Sequence, residues 1–472
     1  MTGRCGRHGP AKAKALALVC ALSLALAGCG SDMSRSAIER AAGLGQGGAA
    51  GVNAGVQGDT TGVGDTGGAG SSNGTVAAGS ATGGAVVGSG GGAGAAAASG
   101  PGGGGGGGGV LAAKLSPVKL GHIGTYSGIL GTILAAGLPG IQAWGKWVSA
   151  HGGLNGHPVQ ITTADDGGDP ARNLQLTRNM VENQGVIAFV GNIVPLSIAG
   201  SQSYLEQNGI PLVGGDDANN LWWASPIFFP QTGTAVGGFL GSATLAVQRG
   251  PNVALLYCGE AAGCLTVRDV YKSGAVERAG GHMVYTAQIS IAQPNFTSEC
   301  LQMSSNHAQV AVIAADANTL SRVARDCKQQ GFTPHWVSFG LALVNSIASD
   351  ANLDGLVGTT TTFPWFLNSG PAATYAQAMA TYAGNVTLSG ASANVWASGV
   401  LMQDASKSLP AGTVKSSDIL NGLYALQGDT LGGLGPPLTF HRGQPAPPIT
   451  CYLSIDLHGG HFGAPMGLNY AC

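Results

Sequence analysis

From residue 118 onward the sequence alternates short β-rich runs with longer amphipathic helical runs, and this alternation limits the fold more than any other feature. VKLGHIG (118–124) reads as a strand. PGIQAWGKWVSA (139–150) reads as a helix, because Pro139 suits a first turn and Ile141, Trp144 and Val148 recur on one face. Gly152 can take the positive φ that stops it. VQITTA (159–164) is the next strand and ends at Asp165-Asp166. Helix over 171–185, strand over 185–191, helix over 197–209 and strand over 210–214 continue the series. Such βα units require a mostly parallel sheet with helices on both faces. Asp165 and Asp166 then arrive at the carboxyl edge of the sheet, where open α/β folds bind ligands. The same acids can instead cap the following helix or fix a turn.

A second series follows a long helical run at 232–250. Its strands are expected at 253–258, 282–289, 308–315 and 334–340, with helices at 265–279, 296–305 and 318–330. The restart predicts two similar lobes. Further helices are expected at 373–383, 393–407 and 416–427, and TCYLSIDLHGGHFG (450–463) offers a closing strand pair about Gly459-Gly460.

The region before residue 116 has a different character. Arg4, Arg7, Lys12 and Lys14 form a basic head, followed by an apolar stretch from Ala15 to Ala27 and then LAGC, Leu26 to Cys29. These are the features of a secretion signal and not of a spanning helix. LAGC resembles the lipobox of bacterial lipoproteins, which implies cleavage after residue 28 and a lipid on Cys29. Losing residues 1–28 removes four basic residues and no acid, so the formal charge moves from -2 to -6. Residues 29–42 would form the lipidated terminus. Residues 43–115 are dominated by glycine and alanine, with eight consecutive glycines at Gly102–Gly109. They offer too little apolar area to offset the entropy of ordering glycine. As a coil of about 70 residues, this tether would span about 45–50 Å. The expected location is the extracytoplasmic face of the cell membrane, held by lipid.

Six cysteines remain in the body: Cys258, Cys264, Cys300, Cys327, Cys451 and Cys472. An even set in an exported chain suggests disulfides. Sequence-local closure pairs Cys258–Cys264, Cys300–Cys327 and Cys451–Cys472, one of 15 possible pairings. No CxxC pair or compact Cys/His cluster favours zinc, and no metal or cofactor is expected. No basic patch points to nucleic acid. There is no G-x-S-x-G elbow, H-E-x-x-H or P-loop, so an enzyme is not expected.

Several of these segments together resemble the extracellular solute-binding proteins of the branched-chain amino acid ABC transporter family, the Leu/Ile/Val-binding type. The resemblance rests on HIGTYSG (122–128), SAHGGLNG (149–156), ITTADD (161–166), ALQGDTLGGLGPPLTFHRGQ (425–444) and IDLHGGHF (455–462), and covers residues 116–472. It implies an α/β periplasmic-binding-protein type I fold, two Rossmann-like lobes with three crossover strands. One lobe would comprise 116–237 and 362–436, the other 250–358 and 440–472, with hinge regions at 238–249, 359–361 and 437–439. It further implies a monomer that captures a small organic solute between its lobes and presents it to an ABC permease. A ligand-sensing receptor that docks to a sensor or envelope protein is the alternative.

The family's ligand contacts carry over poorly. In GNIVPLS (191–197) Pro195 stands where the family places a carboxylate-binding serine, and Ser197 can serve only in a longer loop. The family's Tyr-Gly becomes Ala262-Gly263. The acid that would hold a ligand ammonium should fall in SFGLAL (338–343), which has none. A buried ammonium without that partner is costly, so α-amino acids are expected to bind poorly. The candidate solute contacts are Tyr126, Ser127, Asn192, Ser197, Asp216, Asp217, Trp222 and Trp365, with Trp223 and Phe366 as further loop aromatics. Their aromatic character suits a ring-bearing or apolar solute with one polar end.

Overall fold

The computed structural model describes residues 115–472, apart from Asp217 and Asn219. The expected signal sequence, Cys29 and the tether up to residue 114 therefore lie outside the described residues, as does Asp217.

The first sheet is all parallel. It contains β1 (Val118–Gly124), β2 (Val159–Asp165), β3 (Ala188–Asn192), β4 (Leu212–Gly215) and β5 (Phe228–Phe229), in the order β2-β1-β3-β4-β5. Between these strands run α1 (Gly137–Ala150), α2 (Pro170–Glu182) and α3 (Ile198–Asn208). Ile141, Trp144 and Val148 of α1 are buried, as their spacing predicts. Gly152 and Gly153 turn the chain with φ of 99° and 70°. At Gly153 a Cβ would meet the His157 carbonyl oxygen at 2.0 Å, so the turn excludes a side chain there.

The second sheet follows α4 (Ala235–Arg249). Its strands are β6 (Asn252–Cys258), β7 (His282–Ile289), β8 (Val310–Ala314), β9 (His335–Phe339), β10 (Val357–Thr360), β11 (Leu453–His458) and β12 (His461–Gly463), in the order β12-β11-β10-β9-β8-β6-β7. β6 to β10 are parallel, and β11 and β12 join antiparallel. The helices α5 (Ala262–Lys272), α6 (Thr297–Ser305) and α7 (Ala317–Gln329) belong to this lobe. The chain then returns to the first lobe, where α8 (Ala373–Tyr382), α9 (Gly390–Ala405) and α10 (Ser416–Ala425) close its open face. Gly399 of α9 accepts the flat ring of Trp144, and Trp144 Nε1 donates to Gln403 at 3.0 Å.

The chain passes between the sheets three times: after β5, after β10 and before β11. These passages touch. Thr234 N–H donates to Ile449 O at 2.7 Å, and the Thr232 hydroxyl donates to Thr361 O. Because β5 and β10 both end at a crossover, and β11 starts antiparallel from another, the carboxyl edges of both sheets border the same junction. Two segments differ from expectation. Residues 235–249 form one helix packed on the second sheet, with Val236, Phe239, Ala243 and Ala246 in its core, so they are neither first lobe nor hinge. Leu438 pairs with Asp429, and Phe440 packs edge-on against Phe229 at 5.2 Å. The third passage thus comes after 437–439. Glycines and small residues in 232–250 hide this from the sequence, since they mark no boundary.

The three disulfides are Cys258–Cys264, Cys300–Cys327 and Cys451–Cys472, the expected local set.

Gly200 in α3 shows how closely the first-lobe helices pack: a Cβ there would lie 2.0 Å from the Pro170 carbonyl oxygen at the start of α2. Alanine would raise helix propensity by about 1 kcal/mol, yet it must displace backbone. We expect Gly200→Ala to lower stability by about 1–3 kcal/mol in urea unfolding. An unchanged or higher midpoint would show that the α2–α3 contact yields.

Candidate functional site

The carboxyl edge of the first sheet is built around two adjacent carboxylates at the end of β2. Asp166 is fully buried. Its oxygens accept from Thr125 Oγ1 at 2.8 Å, Gly168 N–H at 2.8 Å, Asn173 Nδ2 at 2.9 Å and Ser197 Oγ at 2.5 Å. One side chain thereby ties the loops after β1, β2 and β3 to α2. Asp165 faces the other way, and its Oδ1 accepts the N–H groups of Tyr126, Ser127 and Gly167 at 2.9, 3.3 and 3.0 Å. Burial opposes its ionisation. The Ser127 hydroxyl and these N–H groups outweigh that and hold the carboxyl below its usual value. The Asp-Asp pair thus serves the loop, with Asp169 capping α2 separately.

Tyr126 and Ser127, expected to touch solute, sit on this loop. Tyr126 is half-buried and Ser127 exposed. The Tyr126 hydroxyl lies 2.5 Å from Nε2 of His122, whose Nδ1 lies 3.0 Å from Val190 O. A carbonyl only accepts, so Nδ1 carries the proton and the Tyr126 hydroxyl donates to Nε2. Burial lowers the His122 pKa from 6.5 to about 4, against the raising effect of the Val190 carbonyl. Burial, and then the charges of Asp165 and Asp166, raise that of Tyr126. Asn192 is buried, and its Oδ1 accepts from Ile123 N–H at 3.0 Å.

The loop after β3 departs from the expected chemistry. Ser197 is buried and gives its hydroxyl to Asp166. Asp216, from the loop after β4, accepts Val194 N–H at 2.9 Å and Ala218 N–H at 3.3 Å, so it braces two loops. Trp222 and Trp223 are buried, Trp222 lying against Phe228 and over Gly215. Trp365 is buried between Phe366 and Phe462, with ring centroids at 5.3 and 5.4 Å, and so links the first-lobe segment after β10 to β12. Composition marks these aromatics as recognition residues; packing uses them as core. The indole N–H groups of Trp222, Trp223 and Trp365 have no hydrogen-bond partner among the described residues.

The second lobe presents the loop 259–261 between β6 and α5, bridged by Cys258–Cys264. Glu260, which sequence reasoning passed over, accepts from Ser290 Oγ at 2.6 Å and Ile291 N–H at 3.1 Å. The Ser290 hydroxyl is the main cause holding its carboxyl below the usual value. Arg322 donates to Ile291 O and Gln293 O at 2.6 and 2.5 Å from behind. At 338–343 the Ser338 hydroxyl goes to Ile313 O at 2.9 Å, Phe339 packs on Phe239 at 4.8 Å, and Ala342 and Leu343 are buried. No group of three or more His, Cys, Asp or Glu placed to hold a metal occurs among the described residues.

Two outcomes follow from these networks. His122 binds fewer protons folded than unfolded between pH 6.5 and about 4. Its share of stability is therefore present above pH 6.5 and lost as pH falls through that window, about 3 kcal/mol in all. Urea titrations of His122→Gln should lack this component, and an unchanged pH profile would exclude it. Asp166→Ala should cost at least about 3 kcal/mol in urea unfolding, because three buried donors and one part-buried N–H lose their acceptor, and a loss below about 1 kcal/mol would show that the loops hold without it.

Residues 117–453 match the family described as periplasmic binding protein. Among solved structures, a possible leucine/isoleucine/valine-binding protein from Rhodopirellula baltica is 17% identical, with a TM-score of 0.61 over 74% of this chain and 96% of that one. A branched-chain amino acid transporter substrate-binding protein from Streptococcus pneumoniae, in complex with isoleucine, is 18% identical, with a TM-score of 0.60 over 74% and 98%. An ABC transporter solute-binding protein from R. palustris, in complex with benzoate, is 15% identical, with a TM-score of 0.60 over 74% and 95%. At these identities the structural likeness establishes the fold. No curated protein matches the chain significantly. With a family match across most of the sequence, and two parallel sheets joined by three crossovers, the chain belongs to the periplasmic binding protein family and has its two-lobed type I fold.

Proposed function

We propose that this protein is a lipid-anchored solute-binding protein that captures a small organic solute between its lobes and delivers it to an ABC permease. The observation that carries the reading is the junction at which the carboxyl edges of both sheets meet three touching crossovers. Loops at carboxyl edges of open parallel sheets bind ligands, and short crossovers permit hinge closure over them. The relatives with isoleucine and benzoate are consistent with small organic solutes.

The solute is an apolar or ring-bearing molecule with one polar end, and α-amino acids bind poorly. In the second lobe, 338–343 holds only Ser338 as a polar side chain, and that hydroxyl is committed to Ile313 O. An ammonium placed there would lose water without gaining a carboxylate. Of the candidate contacts, Tyr126 and Ser127 are the proposed neighbours of the solute, and the buried Asn192, Ser197, Asp216, Trp222 and Trp365 are proposed to shape the site by holding its loops.

Calorimetry with leucine, valine and isoleucine should show no micromolar binding; a micromolar Kd for any of them would overturn this assignment. Solution scattering on the native protein mixed with small-molecule extract of its own cells should show a decrease in radius of gyration. A radius unaltered by any fraction would argue against a closing cleft. Cys29→Ala should move the protein from the membrane to the soluble fraction, and retention in the membrane would refute the anchor.

A further inference from the structure

We propose that Leu196 is a specificity-determining residue and that the first lobe receives a neutral, apolar part of the solute while rejecting carboxylates. This rests on the solute-binding reading above and narrows the class of solute.

Leu196 lies on the loop after β3, the middle strand of the first sheet, at its carboxyl edge. It is 45% exposed, and Leu301 is the other exposed large hydrophobic residue among those described. Its position is set by the loops around it: a Cβ at Gly168 would stand 3.2 Å from Leu196 Cδ1 and 3.4 Å from the Thr125 methyl. Leu196 therefore lies beside the turns after β1 and β2, in the middle of the edge. An apolar group laid over Leu196 would remove its exposed side chain from water, which is favourable in proportion to the area covered.

Most of the groups that would receive an anion are already committed. Ser197 gives its hydroxyl to Asp166. The N–H groups of Ser197 and Ile198 both donate to Val194 O, and Gly200 N–H donates to Ser197 O. Val194 N–H donates to Asp216, those of Gly167 and Gly168 to Asp165 and Asp166, and those of Tyr126 and Ser127 to Asp165. The loops at 125–127, 165–169 and 193–197 contain no lysine or arginine. A carboxylate arriving beside Leu196 would find most of the nearby N–H groups already bonded to the protein's own carbonyls and carboxylates and no cation, and would face those carboxylates as like charges.

Benzyl alcohol and benzoate test this, being of one ring size and differing in charge. With leucine methyls labelled in the full chain, benzyl alcohol should shift the Leu196 methyl resonances saturably, and benzoate at equal concentration should not. Leu196→Ser should weaken benzyl alcohol at least tenfold. Leu196→Lys, which adds the missing cation, should improve benzoate at least tenfold; both changes are at an exposed position, and circular dichroism checks the fold. Equal or tighter benzoate binding to the native protein, unchanged affinity in Leu196→Ser, or no shift with either probe would each overturn the assignment. Scattering on the same samples separates the two readings. A solute that closes the lobes without disturbing Leu196 removes only this inference, whereas lobes that close on no solute remove the solute-binding reading itself.

Discussion

A buried carboxylate organises the first lobe. Asp166 is the point at which three loops and a helix are joined, through donors from Thr125, Gly168, Asn173 and Ser197. Taking a charge out of water is costly unless its hydrogen bonds are replaced in full. Four donors provide that replacement, and in exchange each loop is held at a defined height over the sheet edge. The second lobe reaches the same end by different chemistry. There the Cys258–Cys264 disulfide closes one loop, Glu260 ties it to the loop after β7, and Arg322 grips that loop from α7. Cys300–Cys327 then fastens α7 to α6. Both edges are thus cross-linked by the protein's own groups, hydrogen bonds in the first lobe and disulfides with hydrogen bonds in the second.

How much of this can be read in the sequence depends on the kind of signal. Strand and helix alternation is a periodic property, and β1, α1, β2 and the second series fall close to where periodicity puts them. Glycine positions with positive φ, such as Gly152, are legible for the same local reason. Lobe membership is not local. Helix α4 falls where the resemblance implies a hinge, yet Val236, Phe239 and Ala243 give it an apolar face that the second lobe covers.

Side-chain destinations are still less legible. Asp216 and Ser197 have the right chemistry for a ligand and the right strand ends, but a neighbouring loop claims each of them first. Trp222 and Trp365 look like recognition aromatics because they fall in loops, and the loops fold back to bury them. Leu196 gives no signal at all in sequence, since a leucine before a helix normally goes inward. Its exposure becomes evident only once Ile193, Val194 and Ile198 are seen to fill the core around it.

These features bear on how a cleft of this kind discriminates. Only 9% of the chain is charged, yet the first-lobe edge holds Asp165, Asp166 and Asp216 turned toward backbone N–H groups. A site that satisfies its own donors gives up directional recognition of an incoming anion. What remains is apolar contact, which separates solutes differing by one methylene by only about 1–3 kcal/mol. Rejection of a like charge is steeper, because the interaction strengthens as closure removes water and lowers the local dielectric. On the proposed reading, such an edge would be tolerant among neutral solutes of similar size and strict against anions, and closure would sharpen that strictness.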